Sequence, residues 1–187
     1  MNLEQIQKDV KEILSEKRYL HSVAVMERAE ELEKIYGEDI EITKLVGITH
    51  DIAKELNEEE ILKYIKENNI EIDEIEEKQL YLLHGKIGAD MCKKRYGFSD
   101  YMARAIELHT TGYKNMSKLD KIIFFADKTE RTRHYSDLSE AIEICDKSLD
   151  EGMIYCLNVA IKDNIGRNRL IHPYTILTRN DIMMNNK

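Results

Sequence analysis

Four histidines and two aspartates, set against successive runs of apolar residues, are the groups in this sequence best suited to metal chemistry. The six histidines stand at positions 21, 50, 84, 109, 134 and 172, with Asp51 directly after His50 and Asp127 eighteen residues beyond His109. His21 shares a helical face with Val25, Arg28 and Leu32, at offsets of 4, 7 and 11. His50 follows Val46 by four and precedes Lys54 by four, and Asp127 follows Ile123 by four, so each continues a stripe with core character. Any one of these residues alone reads as a hydrogen-bonded core group; their order on successive helices is what points to a site. Helical bundles build metal centres in this way, from side chains on facing helices. Neutral imidazole with carboxylate suits Fe, Mn, Zn, Co or Ni better than Ca or Mg. Four His and two Asp exceed the needs of one metal with open positions and suit two. Two metals about 3.5–4 Å apart can hold a bridging hydroxide and clamp a phosphoryl oxygen, which attacks phosphorus without a protein nucleophile.

Positioning these groups requires helices, and the apolar spacing supplies them. Leu3, Ile6, Val10, Ile13 and Leu14 mark a first amphipathic helix, and a second runs from about Tyr19 to Tyr36, closed by Gly37. Ile42, Leu45, Val46 and Thr49 mark a third, continuing through His50 and Asp51 towards Lys54. Asn57 with Glu60 forms an N-cap pair for a fourth, carrying Ile61, Leu62 and Ile65. Two shorter helices meet near His84-Gly85, the second ending at Gly97; Ser99 caps the next, through His109 to the Thr110-Thr111-Gly112 turn. Ser117 opens the helix that ends near Asp127, and one long helix is expected from about Asp137 to Lys162. The tail is expected to pack Leu170, Ile171, Tyr174, Ile176 and Leu177 against the bundle, with residues 185–187 fraying. No run sustains period-two alternation, so the expected fold is all-α: one domain over 1–187, with a motif core at about 18–135 and a C-terminal helix and packed tail over 137–187.

The composition excludes several classes. A chain of 187 residues, 42% hydrophobic and 34% charged, has the balance of a globular domain able to bury a core. One proline and 8 glycines argue against a loop-rich β-sandwich or a long linker. No stretch approaches the roughly 18 apolar residues of a membrane span, and the N-terminal segment lacks the apolar core of a secretory signal. Cys92, Cys145 and Cys156 form no CxxC pair and read as reduced thiols, consistent with a cytoplasmic location. With 28 Lys+Arg against 36 Asp+Glu, the net charge of −8 excludes a general nucleic-acid surface but leaves room for a local positive pocket. Lys54, Lys128, Arg131 and Arg133 are the expected contributors.

The order His21, His50-Asp51, His84, His109, Asp127 resembles the HD-domain superfamily of metal-dependent phosphohydrolases in its six-ligand, two-metal form. More closely, Arg18-Tyr-Leu-His-Ser22, His50-Asp-Ile-Ala-Lys54, His84-Gly85 and His109-Thr-Thr-Gly112 are similar to the bacterial YqeK family. Members of that family are symmetrical diadenosine tetraphosphate hydrolases that use iron and release two ADP, on an all-α bundle. The resemblance implies that His21, His50, Asp51 and Asp127 hold the principal metal and that His84 and His109 hold the second, with Asp51 bridging. It implies iron first, with Mn, Co or Ni as alternatives. By the same resemblance Lys54 and Arg133 reach substrate phosphate and stabilise charge, while Arg18, Ser22, His84, His109 and Thr110 contact substrate. The family's Asp-x-x-Glu-Pro-x-Arg reads Asp127-Lys-Thr-Glu-Arg-Thr-Arg133 here, with Arg131 in place of proline. The expected partner is a dinucleoside polyphosphate or an ADP- or GDP-like nucleotide, without nucleic acid or membrane, bound by a monomer or homodimer. The same ligands would serve a deoxynucleotidase, a guanosine tetraphosphate hydrolase or a di-iron oxygenase. A non-catalytic nucleotide-binding protein would bind without turnover. His134 falls beside Arg133 at the expected substrate edge, and His172 has no assigned role.

Overall fold

Polar caps punctuate the chain into helices. In the computed structural model, which describes residues 2–133 and 138–185, eleven α-helices and one 3₁₀ turn are formed and no strand occurs among the described residues. In order these are α1 (Leu3–Ile13), α2 (Glu16–Tyr36), α3 (Ile40–Thr49), α4 (Glu58–Glu67), α5 (Glu74–Lys78), the 3₁₀ turn (Leu80–Leu83), α6 (His84–Tyr96) and α7 (Asp100–Leu108). They continue as α8 (Lys118–Thr129), α9 (Leu138–Cys145), α10 (Leu149–Gly166) and α11 (Pro173–Asn185). Asn2, Ser15, Asp39, Asn57, Asp73, Ser99, Ser117 and Ser148 each accept a backbone N–H from the first turn of the helix they open. Each such cap contributes about 1 kcal/mol. The all-α expectation holds.

The apolar sequence of α8 places it at the centre. Leu119, Ile122, Ile123, Phe124, Phe125 and Ala126 are each at most 1% exposed, and α2, α7 and α10 pack around them. Lys118, Lys121 and Lys128 leave one side of α8 towards solvent, while the broad apolar face is enclosed. Asp127 therefore emerges from the middle of the core rather than from its surface. The three cysteines are free and buried, and burial pushes each thiol up to about 12, so none is reactive at neutral pH.

Two tight helical pairs bring the histidines together. A Cβ on Gly47 of α3 would lie 2.8 Å from the Met26 Cα of α2, and one on Gly85 of α6 would lie 2.7 Å from the Glu107 carbonyl oxygen of α7. Glycine permits both approaches. The first pair joins the helix of His21 to the one that leads into His50; the second joins the helix that opens with His84 to the one that leads into His109. A smaller apolar cluster of Ala53, Ile61, Leu83 and Ile87 anchors α4 and the 3₁₀ turn beneath α6.

Three expectations are corrected. Helix α3 stops at Thr49, and 50–55 forms tight turns with Ile52 N–H donating to Thr49 O and Lys54 N–H to Asp51 O. The cause is the His50 ring: its Nδ1–H donates to Gly47 O, the carbonyl a continuing helix would offer to Asp51 N–H. His50 and Asp51, adjacent in sequence, can then both face the centre. The single helix expected from Asp137 to Lys162 is two helices, broken at Asp146-Lys147-Ser148, where Ser148 caps α10 and Gly152 packs against Cys145; Asp137 itself lies outside the described residues. The tail forms α11, but it buries Thr175, Thr178 and Ile182, with Leu170 and Ile176 exposed. Threonines occupy that face because Thr178 Oγ1 reaches the Thr111 and Tyr174 carbonyls beside Gly112, where a larger apolar side chain does not fit.

Candidate metal centre and active site

Asp51 is the hub of a buried cluster. Its Oδ2 lies 3.6 Å from both His21 Nε2 and His50 Nε2, and its Oδ1 lies 3.2 Å from His84 Nε2 and 3.4 Å from His109 Nε2. Asp127 Oδ1 completes the first side, 3.2 Å from His21 Nε2 and 3.9 Å from His50 Nε2. Every one of the six residues is at most 7% exposed. All six histidine and aspartate positions implied by the sequence therefore converge.

The protonation of the rings follows from their second nitrogens. Nδ1 of His50 bonds Gly47 O at 2.8 Å, that of His84 bonds Tyr81 O at 2.6 Å, and that of His109 bonds Ile106 O at 2.6 Å. A carbonyl oxygen only accepts, so each ring carries its proton on Nδ1 and presents a bare Nε2 lone pair to the centre. His21 Nδ1–H donates to the Glu130 carboxylate at 3.0 Å. Burial holds His50 down at about 3 and His84 at about 4, so both are neutral at pH 7. Burial raises Asp51, yet the surrounding His50, His109 and His84 outweigh it and hold its carboxyl below the usual range. Asp127 is likewise raised by burial but held well below that range by Lys128, His21 and Arg133.

Even with cationic side chains beside it, this arrangement leaves buried acceptor atoms without a partner. His84 Nε2 and His109 Nε2 face one another at 3.0 Å. His21 Nε2, His50 Nε2 and Asp51 Oδ1 are buried with no hydrogen-bond partner. Uncompensated acceptors at such depth are costly. The donor set of imidazole and carboxylate fits divalent transition metals, and the groups His21–His50–Asp127 and His50–Asp51–His109 each offer ligand atoms within 4.8 Å of one another.

A cavity of about 710 Å³ opens above the cluster, with Asp51, His109 and Asp127 in its floor. Arg18, Lys54, Thr110 and Arg133, which the resemblance implied as substrate contacts, line it. Arg18 Nη1 donates to Asp51 Oδ2 at 2.9 Å, Arg133 Nη2 to Asp127 Oδ1 at 2.6 Å, and Lys54 Nζ to His84 Nε2 at 3.1 Å. Thr110 Oγ1 stands 3.3 Å from His84 Nε2 and 3.2 Å from His109 Nε2. Burial pulls the Lys54 ammonium down against the opposing pull of Asp51 and Asp127.

Three expected contributors do not line the cavity: His84, 1% exposed, sits behind Lys54 and Thr110, and Ser22 and Arg131 point elsewhere. Ser22 is fully buried, its Oγ without a partner; one step along α2 turns it about 100° from His21. Arg131 turns away to pair with Glu27 and is exposed, so the residue standing in place of proline leaves the pocket unaltered in charge. His134 lies outside the described residues. His172 is a clasp: its Nδ1 accepts Tyr174 N–H and its Nε2–H donates to Asp73 at 2.9 Å, while Glu76 beside it is held by Lys86.

Sequence reasoning missed two features. Glu130 is fully buried and binds His21, Thr132 N–H and Thr132 Oγ1 at once, a role its place in the Glu-x-x-Arg signature could have suggested. The other is the wall formed by α10 and its C-terminal cap, from Tyr155 to Arg167, which carries no motif.

A helical bundle that gathers a His-Asp pair, three further imidazoles and a second aspartate defines the class of HD hydrolases. The sequence model of the HD domain matches residues 18–132. The chain belongs to the HD-domain family and is a phosphohydrolase of that family. It is 35% identical to a symmetrical bis(5'-nucleosyl)-tetraphosphatase of Halalkalibacterium halodurans over 95% of both chains. It is 30% identical to the protein of that name from Bacillus subtilis, over 96% of this chain and 97% of the other. A crystal structure of a predicted HD superfamily hydrolase involved in NAD metabolism from Clostridium acetobutylicum superposes with a TM-score of 0.95, at 34% identity over 99% and 98% of the two chains.

Proposed function

We propose that this protein hydrolyses diadenosine tetraphosphate at its centre, releasing two ADP, in a reaction that depends on two divalent metal ions. The observation that carries the reading is the convergence of four bare Nε2 atoms on Asp51 and Asp127 beneath a cavity lined by six cationic side chains and three carboxylates. That local excess of positive charge, on a chain of net charge −8, suits a polyphosphate. The relatives from H. halodurans and B. subtilis carry the name of this activity.

His21, His50, Asp51 and Asp127 would hold one ion, and His84, His109 and Asp51 the other, with iron first and Mn, Co or Ni as alternatives. Bound there, such ions supply positive charge to phosphoryl oxygens and lower the pKa of water towards neutrality. The chain does the rest. Nδ1–H bonds fix every ligand ring, so the centre reorganises little as charge develops. Lys54 and Arg133 balance charge on the equatorial oxygens, and Arg18 and Thr110 orient the phosphates. ADP leaves as a phosphate anion and needs no strong general acid. Helix α10 roofs the cavity, so the motif segment and the C-terminal helices act as one domain. A nucleotide substrate and three free thiols suit a cytoplasmic enzyme.

The test is a substrate panel offered to anaerobically purified, metal-analysed protein: diadenosine tetraphosphate, guanosine tetraphosphate and deoxynucleoside monophosphates. Preferential turnover of the first supports the reading. Preferential turnover of either of the others, or oxygen uptake without phosphate chemistry, refutes it.

A further inference from the structure

One end of the cavity is built from residues that the metal centre and its motif do not account for. Tyr155, Val159, Asp163 and Arg167 recur every four residues along α10 and its C-terminal cap; all four line the cavity and also border a neighbouring surface groove. Twelve residues of helix extend about 18 Å, enough to run the length of an extended polyphosphate. The near end of this stripe lies by the first metal side, where Tyr155 and the buried Cys156 line the cavity together with Asp127 and Lys128. The far end carries Arg167. Beyond it Asn168 takes a left-handed φ of 52°, with Asn168 N–H donating to Ile165 O and Arg169 N–H to Asn164 O. This Schellman closure folds the chain back so that Arg169 also lines the cavity. Gln79 Nε2 donates to Leu170 O at 3.5 Å, linking this segment to the 3₁₀ turn that bears Tyr81.

The three side chains at this end are poised for a ligand. Among the described residues the Arg169 guanidinium has no hydrogen-bond or ion-pair partner. Arg167 pairs only with Asp163, in an exposed i,i+4 contact at 2.7 Å, a kind worth little. Tyr81 lines the cavity while 55% exposed, an aromatic ring that packing does not require there.

A substrate with two equal halves, cut at its middle, needs phosphate and base contacts on both sides of the cut. Lys128 and Arg133 flank Asp127 on one side. We propose that Arg167, Arg169 and Tyr81 form the subsite for the second nucleoside diphosphate, the guanidiniums on its phosphates and the tyrosine ring stacked on its base. This rests on the reading of a dinucleoside tetraphosphate substrate. It makes the C-terminal wall the element that distinguishes a two-headed nucleotide from a one-headed one.

The experiment compares the metal-loaded wild type with an Arg167→Ala/Arg169→Ala variant and with Tyr81→Ala and Tyr81→Phe. Calorimetric titration with ADP is expected to give two ADP per chain for the wild type and one for the arginine variant. The preference for diadenosine tetraphosphate over adenosine tetraphosphate, as a ratio of kcat/KM, is expected to fall by roughly ten- to hundredfold in the arginine variant. Tyr81→Ala should lower the same ratio and Tyr81→Phe should restore it, because stacking needs only the ring. All these positions are exposed, so the fold is retained. If the wild type cleaves diadenosine tetraphosphate and the arginine variant keeps two bound ADP and an unchanged ratio, the subsite is wrong and the reaction stands. If the wild type releases no ADP from that substrate, the reaction reading fails, and the subsite with it, before any variant is compared.

Discussion

Replacing Gly85 with alanine isolates the contribution of helix spacing to the centre. The added Cβ would sit 2.7 Å from Glu107 O and 3.3 Å from Ile106 O, whereas ordinary contact begins near 3.4 Å. Both obstacles are backbone, so relief requires α6 to move away from α7 by about 0.7 Å, the difference between those distances. That movement separates His84 from His109, whose Nε2 atoms stand 3.0 Å apart, and disturbs the Ile106 carbonyl that fixes the His109 ring at 2.6 Å. Overpacking of this kind costs about 1–3 kcal/mol, offset by about 0.5–1 kcal/mol from alanine's better helix propensity. The net loss is about 1–2 kcal/mol, and each kcal/mol lowers Tm by about 2–4 °C in a chain of this size. The larger effect falls on function. A displacement approaching 1 Å costs on the order of a hundredfold in rate, and the second metal should bind about tenfold or more weakly while the first is nearly unaffected. Thermal melts with and without chelator, together with metal content per chain, read both effects. A variant that melts like the wild type and retains two metals with full activity would refute the link between this close approach and the site.

Glu130→Gln keeps the shape of the hub but gives it an amide that must point a donor at either Thr132 N–H or the His21 Nδ1–H. Metal affinity, read by competition with a chromophoric chelator, should fall about 10–100-fold, and unchanged affinity would mean that Glu130 does not orient His21. Asp51→Ala removes the atoms facing both sides of the centre, and His50→Ala removes a ring fixed on Gly47; each should lose metal and lower turnover by more than about a thousandfold. Retention of metal and activity in either variant would overturn the ligand assignment. Chelator-treated protein should lose stability on acidification. The folded values of about 3 for His50 and 4 for His84 lie below the unfolded 6.5, so below that pH the unfolded chain binds more protons, costing about 2 kcal/mol per imidazole at pH 5. Asp51 and Asp127, held below their ordinary 3.8, add a second loss as pH falls through the acidic range below that value. A urea midpoint equal at pH 7 and pH 5 would contradict the neutral, buried assignment of these rings.

The ligand order was legible because it uses rare residue types on helices whose apolar stripes and caps are local. Asn57, Ser99 and Ser117 announce their helices, and the apolar Leu119, Ile122, Ile123 and Ala126 announce the central one. What stayed hidden depends on contacts distant in sequence or on geometry finer than a pattern. The end of α3 at Thr49 follows from the His50 ring capturing a carbonyl, which periodicity does not report. Ser22 and Arg131 flank functional residues yet point elsewhere, because neighbours on a helix or turn diverge in direction. Arg167 and Arg169 belong to no motif, and only the turn at Asn168 brings the second of them back to the cavity.

The central claim is that this His/Asp centre cuts a tetraphosphate bridge at its midpoint. Anaerobically purified, metal-replete enzyme incubated with diadenosine tetraphosphate, with products resolved by chromatography, tests it most directly. Two ADP per substrate consumed, abolished by Asp51→Ala, is the predicted result; ATP with AMP, or no turnover, would contradict it.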